Sequence, residues 1–99
     1  MADEIRADYE QLQKVATQFS RQAAAINRMR QQVKRSMGGL QGSWMGHGSE
    51  AFFSEMNDTV LPATDRLYKA LQDANRITKQ IAQTVQQAEE DAAAPFKAQ

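Results

Sequence analysis

The sequence predicts an all-α fold: an antiparallel hairpin of two long helices that dimerises into a four-helix bundle. Three observations predict it. Apolar residues recur at heptad spacing on both sides of the chain midpoint. All five glycines fall within eleven residues, 38–48, where the chain must reverse. The apolar residues are also too few, and too widely spread around each helix, for one hairpin to cover them.

The first helix is expected over residues 3–38. Ile5, Leu12, Phe19, Ile26, Val33 and Leu40 recur every seven residues, with Tyr9, Ala16, Ala23 and Met37 between them. Arg30 interrupts this seam, and its stem is expected to snorkel along it with Met29 taking over the packing. No Pro or Gly falls between residues 3 and 37. Acidic side chains open the stretch and Arg28, Arg30, Lys34 and Arg35 close it, as the helix dipole favours. A helix of about 35 residues is roughly 50 Å long.

Residues 39–48 are the expected turn, and residues 49–94 the second helix, with Ser49 as N-cap. The heptad returns there as Phe53, Val60, Leu67, Ala74, Ile81 and Ala88, interleaved with Met56, Ala63, Ala70, Ile77 and Thr84. Pro62 lies inside this pattern. It removes one hydrogen bond and clashes with the carbonyl of Asp58, which predicts a kink, or a restart capped by Asn57, Asp58 or Thr59. Pro95 is expected to stop the helix near Ala94, leaving a short tail, 95–99. The whole chain then forms one domain. Apolar residues off the two seams, Val15 and Met29 on the first helix and Leu61, Tyr68, Leu71 and Val85 on the second, call for a second hairpin to cover them.

Composition narrows the chemistry. Twelve Lys/Arg balance twelve Asp/Glu, so no net field draws nucleic acid or an anionic membrane. Residues 1–43 carry a charge of +3 and residues 44–99 a charge of −3, which suits segments that lie against each other or against another copy. The absence of Cys removes disulfides and thiolate metal sites. No apolar run approaches the ~20 residues of a membrane span, and the acidic start, MADEIRADYEQ, does not resemble a cleaved signal peptide. His47 is the only imidazole, and nothing fixes a base beside a nucleophile. No metal, cofactor or catalytic residue is expected, and the protein reads as non-enzymatic. Trp44, the only tryptophan, is expected to seal the turn end of the hairpin over Met37, Leu40, Phe52 and Phe53, a packing role that leaves room for a second one, since a Trp at a bundle end can also line a docking notch.

Two helices in about 100 residues, with Trp44-Met45-Gly46 at the central turn followed by Gly48-Ser49-Glu50-Ala51-Phe52, resemble the WXG family of small type VII (ESX) secretion proteins. The resemblance implies a secreted protein, made in the bacterial cytoplasm and exported without a cleaved signal peptide. It implies a dimeric substrate or adaptor recognised by the secretion-system ATPase. The family's usual Tyr-x-x-x-Asp/Glu export signal is missing, because Tyr68 is followed four residues later by Gln72. Val85, Glu89, Ala92 and Phe96 match the spacing of the looser form of that signal. In an antiparallel pair, Trp44 and Gly46 of one copy would lie near these four positions of the other. The even seams and zero net charge favour a homodimer over a heterodimer with a sister WXG protein. The heptads by themselves equally suit an intracellular helical scaffold or chaperone-like subunit.

Overall fold

A computed structural model of the chain describes residues 2–97, with side chains for residues 6–94. Apart from a turn at residues 42–46, every described residue is helical. α1 spans Ala2–Gln41, α2 spans His47–Glu55, a single π turn follows at Met56–Val60, and α3 spans Leu61–Lys97. α2, the π turn and α3 follow one another without a gap, so the chain runs as two long helical legs joined by the turn. It divides into two compact units. One, Arg21–Leu71, holds the turn; the other, Met1–Ser20 with Gln72–Gln99, holds the terminal stretches of both legs.

The helices overrun their expected ends. α1 continues through Gly38 and Gly39 to Gln41 instead of stopping at 38. Glycine weakens a helix without forbidding it, and Met37 is packed in the core just before the pair. The basic cluster at residues 28–35 therefore lies short of the last turn. α3 passes Ala94 and Pro95 and reaches Lys97. A proline so near the end forfeits one bond in a turn already short of partners.

α1 turns a narrow stripe inward. Ala16, Ala23 and Met37 are buried, and Tyr9, Leu12, Phe19, Ile26, Arg30 and Val33 are half-buried. Leu40 is exposed near the turn, and the side chain of Ile5 lies outside the described residues.

The second leg keeps the expected stripe up to the π turn, and beyond it only Ala74 of that stripe is half-buried. Phe53 is buried, and Met56 and Val60 are half-buried. Beyond it, Leu67, Ile77 and Ile81 are 46%, 46% and 49% exposed in the single chain, and Ala63, Ala70, Thr84 and Ala88 are exposed as well. The inward positions lie one residue further on. Leu61, Thr64, Tyr68, Leu71, Asn75, Thr78 and Val85 are half-buried, and Ala82 is fully buried. The residues that looked surplus to the seam are thus the ones facing α1.

The cause is local. The Leu61 amide donates to the Met56 carbonyl, five residues back, where an α turn would reach back four. The wider turn admits one extra residue, which advances the inward face from the 53, 60, 67 series to 61, 68, 75. Pro62 explains why the turn is there. It has no N–H to give the Asp58 carbonyl, and its ring would strike that carbonyl in α geometry. The helix therefore accommodates Pro62 with a π turn and does not restart at Asn57, Asp58 or Thr59.

Polar contacts cross the seam in both units. In Arg21–Leu71, Arg30 Nε donates to Thr64 Oγ1 at 3.0 Å, and Nη1 lies 3.5 Å from Asp65 Oδ1. Arg30 is thus bonded across the seam, with its side chain only 14% exposed, and it is Met29 that is exposed. In the other unit, Asn75 Nδ2 donates to the Ala16 carbonyl at 2.5 Å. Such contacts contribute modest energy, yet they penalise any other register of the two legs.

Candidate functional site

The turn is built by three short-range devices. The Ser43 and Trp44 amides both donate to the Leu40 carbonyl, at 3.1 and 2.9 Å, which closes the end of α1. Gly46 then takes φ 117° and ψ −176°, a region open to glycine and almost closed to other residues. The glycine of the Trp-x-Gly motif is there for its backbone. Ser49 supplies the third device. It is not the N-cap expected of it, because α2 begins at His47 with Gly46 in the capping position. Instead its buried hydroxyl reaches back and donates to the Trp44 carbonyl at 2.9 Å.

These bonds hold Trp44 in an aromatic cluster. Its ring lies 5.4 Å from Phe52 and 6.1 Å from Phe53, both tilted, and the two phenylalanines meet edge-on at 5.3 Å. A side chain at Gly48 would come to 3.5 Å from the indole, so the backbone passes close beside it. Trp44 remains 37% exposed, next to Met45, which is 85% exposed. The turn therefore presents two apolar side chains, Trp44 and Met45, at its surface. His47 and Glu50 beside it are exposed, and their charged atoms approach only to 4.0 Å.

Within the same unit, Asp65 joins Lys69 and Arg30. The hydrogen bond from Lys69, 3.0 Å long, holds the Asp65 carboxyl below its ordinary value of 3.8. Partial desolvation opposes this, and the charges of Lys69, Arg30 and Lys34 add to the lowering.

In the terminal unit, positions 85, 89, 92 and 96, which match the spacing of the looser export signal, lie on continuous α-helix. Residues 85, 89, 92 and 96 occupy one stripe of α3, since steps of four, three and four residues return to nearly the same angle. Val85 and Glu89 are half-buried and Ala92 is exposed, whereas the side chain of Phe96 lies outside the described residues. Glu89 lines an open groove of about 480 Å³ with Arg6, Tyr9 and Glu10 from α1 and Gln86, Glu90 and Ala93 from α3. Val85 lines a shallower one with Asp8, Gln11, Leu12 and Val15. The α1 side of these grooves was not legible in the α3 spacing. The acidic and aromatic positions 9 and 10, standing opposite 89, were the available hint. Among the described residues no cluster of His, Cys, Asp and Glu could hold a metal ion, and no helix is long and apolar enough to cross a membrane.

Comparison with known proteins identifies a family. Residues 4–90 match the WXG100 family, proteins of 100 residues with WXG. Protein YukE of Bacillus subtilis (strain 168) is 28% identical over 93 residues, which cover 94% of this chain and 95% of that protein. No solved structure matches the chain. A central Trp44-Met45-Gly46 turn, two long helical legs and a family match over nearly the whole length lead to one conclusion: the chain belongs to the WXG100 family.

Proposed function

We propose that this protein is a non-enzymatic substrate or adaptor of a type VII secretion system. It leaves the bacterial cytoplasm folded, as a homodimer. The secretion ATPase reads a composite surface: Trp44 and the Gly46 turn of one copy beside Val85, Glu89, Ala92 and Phe96 of the other. The observation that carries this reading is the exposure of Trp44. Gly46 and Ser49 already build the turn, and Phe53 already fills the core beneath it, yet a rigid indole stays one-third open to solvent next to Met45. A large indole is seldom fully covered, but this one stands beside Met45, 85% exposed, so the two together offer an apolar surface. Aromatic side chains held rigidly at a surface are the usual anchors of recognition.

Two further features support the dimer. Apolar residues Val15, Met29, Leu67, Ile77 and Ile81 are exposed in the single chain. The units also carry opposite charge: Arg21–Leu71 has seven Lys/Arg against four Asp/Glu, and the terminal unit has five against eight. Two copies packed antiparallel put +3 against −3 at both ends, which suits self-pairing. A sister protein of the family is the competing occupant.

Export and assembly separate in one experiment. Trp44→Ala should cut the amount of intact, N-terminally uncut protein in the culture supernatant by at least about tenfold. Its dimer dissociation constant should move by less than about threefold. Equal loss of export and dimerisation would reduce Trp44 to a packing residue and remove the basis of the reading.

A further inference from the structure

α3 carries two heptad stripes one residue out of phase, and it wears them in an unexpected order. Toward α1 it turns Thr64, Tyr68, Asn75 and Thr78 among Leu61, Leu71, Ala82 and Val85; outward it presents Leu67, Ala70, Ile77 and Ile81, with Ala74 of that stripe half-buried. A helix ordinarily buries its more apolar stripe. Here the reverse holds in the terminal unit, where Ile77 and Ile81 are exposed while Asn75, Thr78 and Ala82 face inward; in the turn unit Leu67 is exposed beside half-buried Tyr68, although Leu61 and Leu71 also face inward. Continued as α-helix from Phe53, the same leg would bring positions 60, 67, 74 and 81 into the hairpin seam, because heptads preserve phase. The one residue admitted at Met56–Val60 is what prevents this. One extra residue turns a helix by roughly 100° relative to the expected phase.

We propose that this π turn, held by Pro62, is a register device that keeps the more apolar stripe of α3 outward for a second copy of this chain. The hairpin accepts a poorer seam of its own, pinned by Arg30–Thr64 and Asn75–Ala16. In return it keeps Leu67, Ile77 and Ile81 for assembly. The exposed apolar residues of α1 agree. Val15 and Met29 flank its inward stripe at the heptad position that, in an antiparallel hairpin, falls on the same side as Leu67 and Ile81. A second copy is the occupant because the +3 and −3 units make the chain complementary to itself in antiparallel pairing. This deepens the dimer reading above and rests on it for the occupant, but not for the register.

The test uses the full chain, which has no cysteine of its own. Single cysteines replace Ala82, which faces inward, or Thr84, which faces outward, in the parent and in Pro62→Ala. Each is labelled with a thiol reagent below and above the association midpoint, and mass is followed by sedimentation. In the parent, Ala82→Cys should stay protected throughout, and Thr84→Cys should react at least about tenfold faster until association covers it. Pro62→Ala restores an N–H, anneals the turn and exchanges the two patterns, and association weakens by at least about tenfold. Deleting Asn57 in the Pro62→Ala background removes the extra residue's phase, so it should restore both protection at 82 and association. Unchanged labelling in a helical Pro62→Ala would overturn the register device, whether or not the chain dimerises. A parent with the stated labelling that never associates would overturn the second copy as occupant and leave the register intact. A parent that associates only with a sister protein would overturn the same half.

Discussion

The two units of the hairpin solve the same problem with different materials. The turn unit, Arg21–Leu71, packs large side chains beside Ala23: Phe53 and Met37 are buried with it, and Trp44, Phe52 and Phe53 form one ring cluster. The terminal unit closes on alanines, Ala16 and Ala82, and leaves grooves beside Glu89 and Val85. One unit is fixed by aromatic area, a Gly46 backbone and an arginine network. The other is fixed by close approach of small residues and one asparagine. The comparison teaches that the end with a built core can hold a side chain partly exposed and rigid, whereas the end with small residues has surface relief to offer.

Substitutions can break or sharpen that contrast. The largest effect is expected at Phe53→Ala, which empties the turn unit's core and should cost about 3–5 kcal/mol in denaturant unfolding. Hydrogen exchange should speed up more within residues 21–71 than elsewhere, and uniform loss would deny the turn unit its separate core. Gly46→Ala comes next. No neighbour lies within 4 Å of the new Cβ, so the cost is conformational, about 1–3 kcal/mol, and Gly46→Asn should not escape it. In the terminal unit, Asn75→Ala removes the bond to the Ala16 carbonyl and should cost about 0.5–1.5 kcal/mol by the same unfolding assay. A null result there would mean that alanine packing alone sets the register of that unit.

The smallest effects sharpen the picture. Gly39→Ala replaces a helical glycine whose Cβ position is open, and should stabilise by about 0.4–1 kcal/mol. The Asp65 carboxyl titrates below its ordinary 3.8 in the folded chain. Its contribution is therefore complete above that ordinary value and lost as the pH falls through the lowered one. The unfolding midpoint should drop more steeply in acid for the parent than for Asp65→Asn, and parallel acid limbs would remove Asp65 from the account. The group is well exposed, so the difference should be small.

Much of this architecture can be read from residue spacing. The stripe on α1 is legible because its period carries on past Arg30 without a Pro, and apolar spacing is all a straight helix needs to choose a face. The same spacing misled beyond Pro62. Two stripes compete there, and the more apolar one, through Leu67, Ile77 and Ile81, is the natural choice until a π turn moves the phase. Composition cannot show that, because the extra residue changes geometry and leaves the order of side chains untouched. Pro62 was the visible signal, read as a kink. The turn was legible as a glycine cluster, but which glycine mattered was not: Gly46 alone has a positive φ, and Gly38 and Gly39 are helical. Ser49 looked like a cap because it precedes Glu50 and an apolar run. Its bond to the Trp44 carbonyl depends on a helix that starts two residues earlier.

The central claim is that the outward stripe of α3 is the surface on which two copies meet. Sedimentation equilibrium on the parent and on Ile81→Lys, with circular dichroism on the same samples, tests it most directly. The account predicts twice the 11.1 kDa chain mass for the parent and a single, equally helical chain for Ile81→Lys. A parent that sediments as one chain, or an Ile81→Lys variant that dimerises as tightly as the parent, would contradict it.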